Sequence, residues 1–217
     1  IIMCGIFAYI NNGKTQIIRE IINTIIPAGM QTIHRGPDNT MITQINNKHV
    51  FMFHRLCIMD TSYKGNQPMT LDDDDSLMLI CNGEIYNYKQ LIEKYDFKLK
   101  SGSDCEIILH MYKKFGISKT VKEIDGVFAF VLYDKVKDLF VAARDPLGVR
   151  SLYLGINDEN IILSSEMKSI VPLCKNIMQF KPGTFWDSKY QVNTKYYNYI
   201  YPKQVSQSIH NIQNNMV

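Results

Sequence analysis

The chain lacks the cysteine patterns that metal sites and disulfide frameworks need. Its five cysteines, at positions 4, 57, 81, 105 and 174, are odd in number and show no CxxC or Cys/His ligand spacing. This argues against zinc and against a cystine-stapled secreted scaffold, and fits a reduced, cytoplasmic setting. The chain also lacks any block of lysine and arginine. Its formal charge is only +3, from scattered lysines without interleaved aromatics, so no nucleic-acid partner is expected. No basic region precedes the apolar run Ile6 to Ile10, and Asn11 and Asn12 interrupt that run; neither a signal peptide nor a membrane span is expected. No internal repeat is present. Arginine is scarce: of 24 basic residues only five are arginine (19, 35, 55, 144 and 150). Where lysine is so strongly favoured, each arginine points to a need for a planar, bidentate fork.

What is present suffices for one core. A chain of 217 residues that is 46% hydrophobic can bury a single large domain and still leave a tail. The stretch "TQIIREIINTIIPAGMQTI" sets Ile17, Ile18, Ile21, Ile22, Ile25 and Ile26 in a doubled stripe that recurs every four residues. That is the pattern of an amphipathic helix, bent or ended by Pro27. A second helix, "SDCEIILHMYKKFG", opens with the capping-box spacing Ser103-x-x-Glu106, carries Ile107, Ile108, Met111, Tyr112 and Phe115 on one side, and stops at Gly116. Strands are expected at "VFMFH", "LMLIC", "VFAFVLYD", "DLFVAAR", "SLYLG" and "NIILS", the third and fourth forming an antiparallel hairpin. Several are apolar at nearly every residue, so each sheet should be covered on both faces, by another sheet and by helices: a layered α+β domain. "LDDDDSL" reads as a solvated acidic turn rather than a metal site, since no distant ligands pair with it. Past Pro182 the chain becomes polar, and residues 202–217 read as a linker followed by the start of a further, truncated segment.

The unusual segments are "MCGIF", "HRGPD", "FHRLCIMD", "NQPM", "CNGEIYNY", "SGSDCE", "DGVFAFVLYD", "ARDPLGVRSLY" and "SSEMKSI". In this order and spacing they resemble the class II glutamine amidotransferase domain. Within that class, "NGEIYNY" and "RLCIMD" are similar to the glutaminase domain of glutamine-hydrolysing asparagine synthetases. The resemblance runs from Met3 to about Tyr201, and domain limits of 4–201 follow, with residues 1–3 as a leader. It implies a four-layer αββα sandwich of the N-terminal nucleophile hydrolase type that hydrolyses L-glutamine to glutamate and ammonia through a cysteine thioester.

The resemblance also implies roles. Cys4 is the nucleophile, and in this family the mature chain begins at that cysteine. Its α-amino group, of pKa about 7.7–8.0, can then serve as general base toward a thiol of about 8.5. No histidine is needed, and His34 and His54 are read as scaffold. The side-chain amide of Asn82 and the backbone N–H of Gly83 are candidate oxyanion donors, although an Asn-Gly pair is also a strong turn signal. Arg55 matches the fork that binds the substrate carboxylate, and Glu84 and Asp104 match the acids around its ammonium group. For Asp104 helix capping is the competing reading. Arg35, Gly36 and Asp38, with Arg144 and Asp145, are expected to be structural, as ion pairs that fix loops near the site. Cys57, Cys81, Cys105 and Cys174 are read as ordinary packing residues.

One departure is local: "VRSLY" places Ser151 where the family's pattern has proline. A larger one is that the ATP-binding synthetase domain of asparagine synthetases, with its "SGGLDS"-like loop, has no counterpart in these 217 residues. ATP and Mg are therefore expected only for that missing domain, with no cofactor and no metal in this one, and a synthetase domain is expected as partner in cis or in trans. A homodimer stays open. So do two alternatives: a glutaminase domain serving another acceptor, or an unprocessed, inactive glutamine-binding module that retains residues 1–3. Ile1 and Ile2 are read as upstream remnants and Met3 as the initiator. A glutamine-directed electrophile should label Cys4 alone among the five cysteines. Peptide mapping reads this directly, and modification chiefly at Cys57 or Cys105 would overturn the assignment.

Overall fold

The computed structural model describes residues 3–13, 21–71 and 74–198. The expected leader residues 1–2, Ile17 and Ile18, part of the acidic turn, and the tail 202–217 lie outside the described residues.

Among the described residues twelve strands form two antiparallel sheets. In chain order they are β1 (Gly5–Asn11), β2 (Asn39–Ile45), β3 (His49–Arg55), β4 (Met69–Leu71), β5 (Asp74–Ile85), β6 (Gly126–Asp134), β7 (Leu139–Arg144), β8 (Tyr153–Ile156), β9 (Asn160–Ser164), β10 (Ile177–Gln179), β11 (Thr184–Asp187) and β12 (Thr194–Lys195). The first sheet has the order β10-β8-β9-β1-β3-β2 and the second β12-β11-β7-β6-β5-β4. The helices are α1 (Ile26–Met30), α2 (Tyr88–Tyr95), α3 (Ile107–Phe115) and α4 (Ile117–Glu123).

The apolar runs of the strands follow from burial on both faces. In β6, Ala129, Val131 and Tyr133 join β1's Ile6, Ala8 and Ile10 in a cluster between the sheets. The alternate residues Phe128, Phe130 and Leu132 pack outward with Ile107, Ile108 and Met111 of α3. The other side chains of β1, Phe7 and Tyr9, pack outward with Ile25, Ile170 and Cys174. With a period of two along each strand, both sets of positions meet apolar neighbours, so no alternation of polar and apolar residues survives. The layers are helix, sheet, sheet, helix, as expected. The β6–β7 hairpin also forms, in register from Ala129 opposite Arg144 to Asp134 opposite Leu139.

Three local expectations are corrected. Pro27 does not end the first helix: a π-type turn over Ile21–Ile25 runs directly into α1, and Pro27 sits in the first turn of α1, at the change from one helical pattern to the other, where a residue without an N–H is accommodated. The Ser103/Glu106 capping box is not made. Ser103 flanks a 3₁₀ turn (Asp104–Glu106) without a side-chain cap, and the Glu106 carboxylate instead accepts the N–H groups of Lys100 and Ser101 at 2.8 and 2.9 Å. Arg144 and Asp145 do not pair with each other; each is spent on backbone. Arg144 donates to the carbonyls of Arg150, Phe180 and Gly148 at 2.6–2.8 Å. Asp145 accepts from Leu147, Val149 and Arg150 N–H groups at 2.9–3.1 Å. This double clamp shapes the 145–150 loop, and the loop forms with Ser151 in place of the proline.

Gly36 shows why "HRGPD" needs its glycine. A Cβ there would lie 2.1 Å from the His54 carbonyl oxygen and 2.3 Å from its carbon, so β3 backbone would have to move. Gly36→Ala should lower unfolding stability by about 1–3 kcal/mol. Chemical denaturation checks this, and an unchanged midpoint would show that β3 yields freely.

Candidate active site

All six residues singled out from the sequence, Cys4, Arg55, Asn82, Gly83, Glu84 and Asp104, line a single cleft of about 230 Å³. It lies at the end of the sandwich where β1 and β6 begin and β3 and β5 end. Cys4 precedes Gly5, which faces His54 across the β1–β3 ladder, and this places Cys4 beside the end of β3. The Cys4 sulfur accepts the Leu56 N–H at 3.3 Å and lies 3.5 Å from the Leu56 carbonyl oxygen. Arg35 Nε donates to the Cys4 carbonyl at 3.1 Å and Arg35 Nη1 pairs with Glu166 at 3.1 Å. Burial pushes the Cys4 thiol above its ordinary value, outweighing the Leu56 hydrogen bond and the nearby Arg55 and Arg150. The thiol is therefore a resting acid, not a preformed thiolate.

Asn82 and Gly83 are not in a turn. They lie within β5, opposite Ala129 and Phe128 of β6. The Asn82 side chain is buried, and its Nδ2 has no hydrogen-bond partner among the described residues. Leaving a buried amide donor unpaired is expensive, so such an atom in a cleft wall marks a place for an acceptor. The backbone of Gly83 faces the same cleft. Phe128 exchanges its N–H and carbonyl with Asp145 rather than with Gly83, so alternation along the antiparallel ladder turns Gly83 away from β6. Its carbonyl is met by the Cys105 thiol at 3.6 Å. A side chain is excluded at Gly83, because a Cβ would lie 2.7 Å from the Val127 carbonyl oxygen.

The charged residues are arranged around these donors. Arg55 is buried, and its guanidinium is largely engaged by the following loop: Nη1 donates to the Ser62 carbonyl at 2.8 Å and to Asn66 Oδ1 at 2.6 Å, and Nη2 donates to the Asp60 carbonyl. The loop thus sets the orientation of the fork. Glu84, partly exposed, pairs with Arg150 Nη2 at 3.0 Å. Asp104 is buried and accepts the Ile85 N–H. Burial raises its carboxyl above the usual value, with the nearby Glu84 charge adding to the rise. Among the described residues no three His, Cys, Asp or Glu side chains converge as a metal site. His34 and His54 are taken up elsewhere, by Glu166 and by Thr40 and the Gly29 carbonyl.

Four further cleft residues were not assigned from sequence. Cys81 and Cys105 line the wall rather than serving only as packing. Arg150 reaches the cleft and pairs with Glu84; the scarcity of arginine was the signal available for it. Gln67, from "NQPM", holds the Cys81 backbone, and a polar residue before proline between two apolar strands was its only trace.

Two sheets face to face between helical layers, with a cysteine at the head of a central strand, define the class: an N-terminal nucleophile hydrolase fold. Glutamine phosphoribosylpyrophosphate amidotransferase from B. subtilis has this fold, with a TM-score of 0.71 at 18% identity over 91% of this chain and 50% of that one. The chain belongs to the glutamine amidotransferase domain family, whose sequence pattern matches residues 3–214. It is 37% identical over 204 residues to a probable glutamine-hydrolysing asparagine synthetase of Schizosaccharomyces pombe, covering 90% of this chain and 35% of that protein. It is 39% identical over 202 residues to the corresponding protein of Dictyostelium discoideum, with the same coverage. The chain thus spans about a third of the length of these curated relatives.

Because burial disfavours the charged form of Asp104, Asp104→Asn should stabilise the fold at neutral pH while weakening substrate binding. Its raised folded value means that the folded state is favoured while the group is protonated and loses stability as pH rises through that value. The gain should therefore vanish below the ordinary carboxyl value near 3.8 and open above the raised one. KM for glutamine should rise at least about tenfold, the equivalent of ~1.4 kcal/mol. Denaturation at several pH values and steady-state kinetics read the two effects, and an unchanged KM would remove Asp104 from substrate recognition.

Proposed function

We propose that this chain is a glutaminase domain that cleaves the γ-carboxamide of L-glutamine. The single observation that carries the reading is the buried, unpartnered Asn82 Nδ2 facing the same cleft as the Cys4 thiol. In the form that begins at Cys4, the free α-amine takes the thiol proton as sulfur attacks the carboxamide carbon. The oxygen becomes an oxyanion between Asn82 Nδ2 and the Gly83 N–H. Collapse breaks the C–N bond, and ammonia departs with the proton carried by the amine, leaving a thioester. Water, deprotonated by the same amine, then releases glutamate and restores the thiol. Arg55 holds the α-carboxylate and Glu84 with Asp104 the α-ammonium.

Among the described residues the thiol's hydrogen-bond contacts are to Leu56 backbone, which favours the α-amine over a side-chain base. The names of the relatives support a destination for the ammonia: ATP-dependent amidation of aspartate to asparagine, in a synthetase domain met in cis or in trans. Five free thiols favour a reducing cytoplasmic setting.

Protein beginning at Cys4 should hydrolyse glutamine, with turnover rising through the amine pKa of about 7.7–8.0. Protein retaining residues 1–3 has an amide in place of that amine and should turn over negligibly. Intact mass paired with a glutamate-release assay on both forms tests this. Equal turnover would show that the amine is not the base, and no glutamate from either would overturn the glutaminase reading.

A further inference from the structure

The edge of β5 is unusual where it enters the cleft. Its neighbour β4 begins at Met69, opposite Leu79, and the residue before Met69 is Pro68, which has no N–H to continue a ladder. Beyond Leu79 no strand among the described residues accompanies β5 on that side. Yet Cys81, two residues further on, is not left open. The Gln67 carboxamide meets it with both of its groups: Oε1 accepts the Cys81 N–H at 2.5 Å and Nε2 donates to the Cys81 carbonyl at 3.1 Å. A side-chain amide here reproduces the donor and acceptor pair that an adjacent strand residue would supply. Gln67 is itself only 5% exposed, so the two bonds are shielded from water and a poor geometry would be costly.

The Cys81 carbonyl belongs to the peptide plane that contains the Asn82 nitrogen. Orienting that plane sets the start of the Asn82 residue, and the next peptide carries the Gly83 N–H. From this connectivity we infer that Gln67 is a positioning residue for the oxyanion donors, holding the Cys81–Asn82 peptide so that Asn82 Nδ2 and Gly83 N–H converge on one point. The inference rests on the glutaminase reading of the site. It also separates Gln67 from substrate recognition, because the groups assigned to the α-carboxylate and α-ammonium are on Arg55, Glu84 and Asp104.

Gln67→Met keeps the length of the side chain and removes both bonds. Misplacement by about 1 Å can lower turnover on the order of 10²-fold, so kcat should fall about 10–100-fold while KM changes little. Glutamate γ-semialdehyde gives a readout that a merely structural role would not move. The Cys4 sulfur adds to its aldehyde carbon as the α-amine takes the thiol proton, the C=O electron pair becomes the oxyanion, and nothing leaves. Its affinity should fall in parallel with kcat/KM, whereas inhibition by glutamate should be unchanged. Combination with Asn82→Ala should be clearly less than additive. Gln67→Glu serves as a second variant, whose deficit relative to the unsubstituted protein should shrink as pH falls and the carboxyl regains a donor.

Hydrogen exchange at the Cys81 and Asn82 amides, read without turnover, should accelerate at least about tenfold in Gln67→Met. Accelerated exchange in a protein whose unsubstituted form does not hydrolyse glutamine would support the role of Gln67 in placing these peptides and sink the glutaminase reading alone. Unaltered kcat and exchange, or a KM rising as much as kcat falls, would overturn the role of Gln67, the latter by showing that it acts through Asn66 and Arg55.

Discussion

Strand β5 outruns its neighbour, and the site follows from how its exposed backbone is satisfied. From Cys81 to Ile85 the groups of alternate residues point away from β6, toward a side on which β4 has not yet begun. An open edge in a protein interior needs partners, because each unmet N–H or carbonyl loses its water without a replacement. Three side chains from two segments fill the role: Gln67 at Cys81 and, from the Asp104–Glu106 turn, the Cys105 thiol at the Gly83 carbonyl and Asp104 at the Ile85 N–H. The Gly83 N–H lies in the middle of this set and opens on the cleft. A truncated ladder thus becomes a binding wall, and in the proposed reaction the developing oxyanion completes it.

The electrostatics of the cleft fit chemistry in which charge appears only on reaction. Burial holds the Cys4 thiol in its neutral form despite two nearby arginines, unlike thiols that a partner cation ionises in advance. Burial likewise disfavours the Asp104 carboxylate. An ammonium group arriving between Glu84 and Asp104 would compensate that charge, so part of the free energy lost in folding such a site is regained on binding. Two of the five unpartnered buried polar atoms among the described residues belong to Asn82 and Arg150, which line the cleft with Cys4. Unmet donors in a cleft wall suit a site for anionic or carbonyl oxygen.

Much of the layering was legible because it depends on short-range pattern. Apolar runs such as "VFAFVLYD" state that both faces of a strand are covered, and the α3 stripe states which side of that helix is buried. The six cleft residues were legible through motif resemblance, and the geometry brings all six together. What misled was local chemistry that had two outlets. Asn82-Gly83 satisfies a turn rule but lies in a strand, since the glycine is required by the approach of the Val127 carbonyl oxygen. Ser103 and Glu106 have capping-box spacing, yet the preceding loop presents the N–H groups of Lys100 and Ser101, and Glu106 takes those. Gln67 stood out only as part of "NQPM", because its bonds to Cys81 exist only where β4 fails to extend, a fact of strand register that no local window contains.

In the proposed reaction the nucleophile and the oxyanion donors come from different sheets, Cys4 from the head of β1 and Asn82-Gly83 from the end of β5, so their separation is an inter-sheet distance. Hydrophobic packing between the sheets sets that distance only loosely, since it is non-directional. At the cleft end directional bonds take over. Arg144, at the end of β7 in the second sheet, donates to the carbonyls of Arg150 and Phe180, which flank β8 and β10 of the first. Beside it, Asp145 exchanges hydrogen bonds with Phe128 of β6 while gripping the loop that leads to Arg150. Arg150 in turn reaches Glu84 on β5. The chain of contacts closes a ring around the cleft, from sheet to sheet and back. Its arginines are spent on fixed backbone carbonyls and a carboxylate, for which a planar, rigid fork is better suited than the flexible ammonium of lysine. In a chain with 24 basic residues and five arginines, this is where the proposed reaction most needs rigidity: the Cys4 thiol on one sheet and the Asn82 and Gly83 donors on the other can act on one substrate carbon only if the gap between them does not breathe.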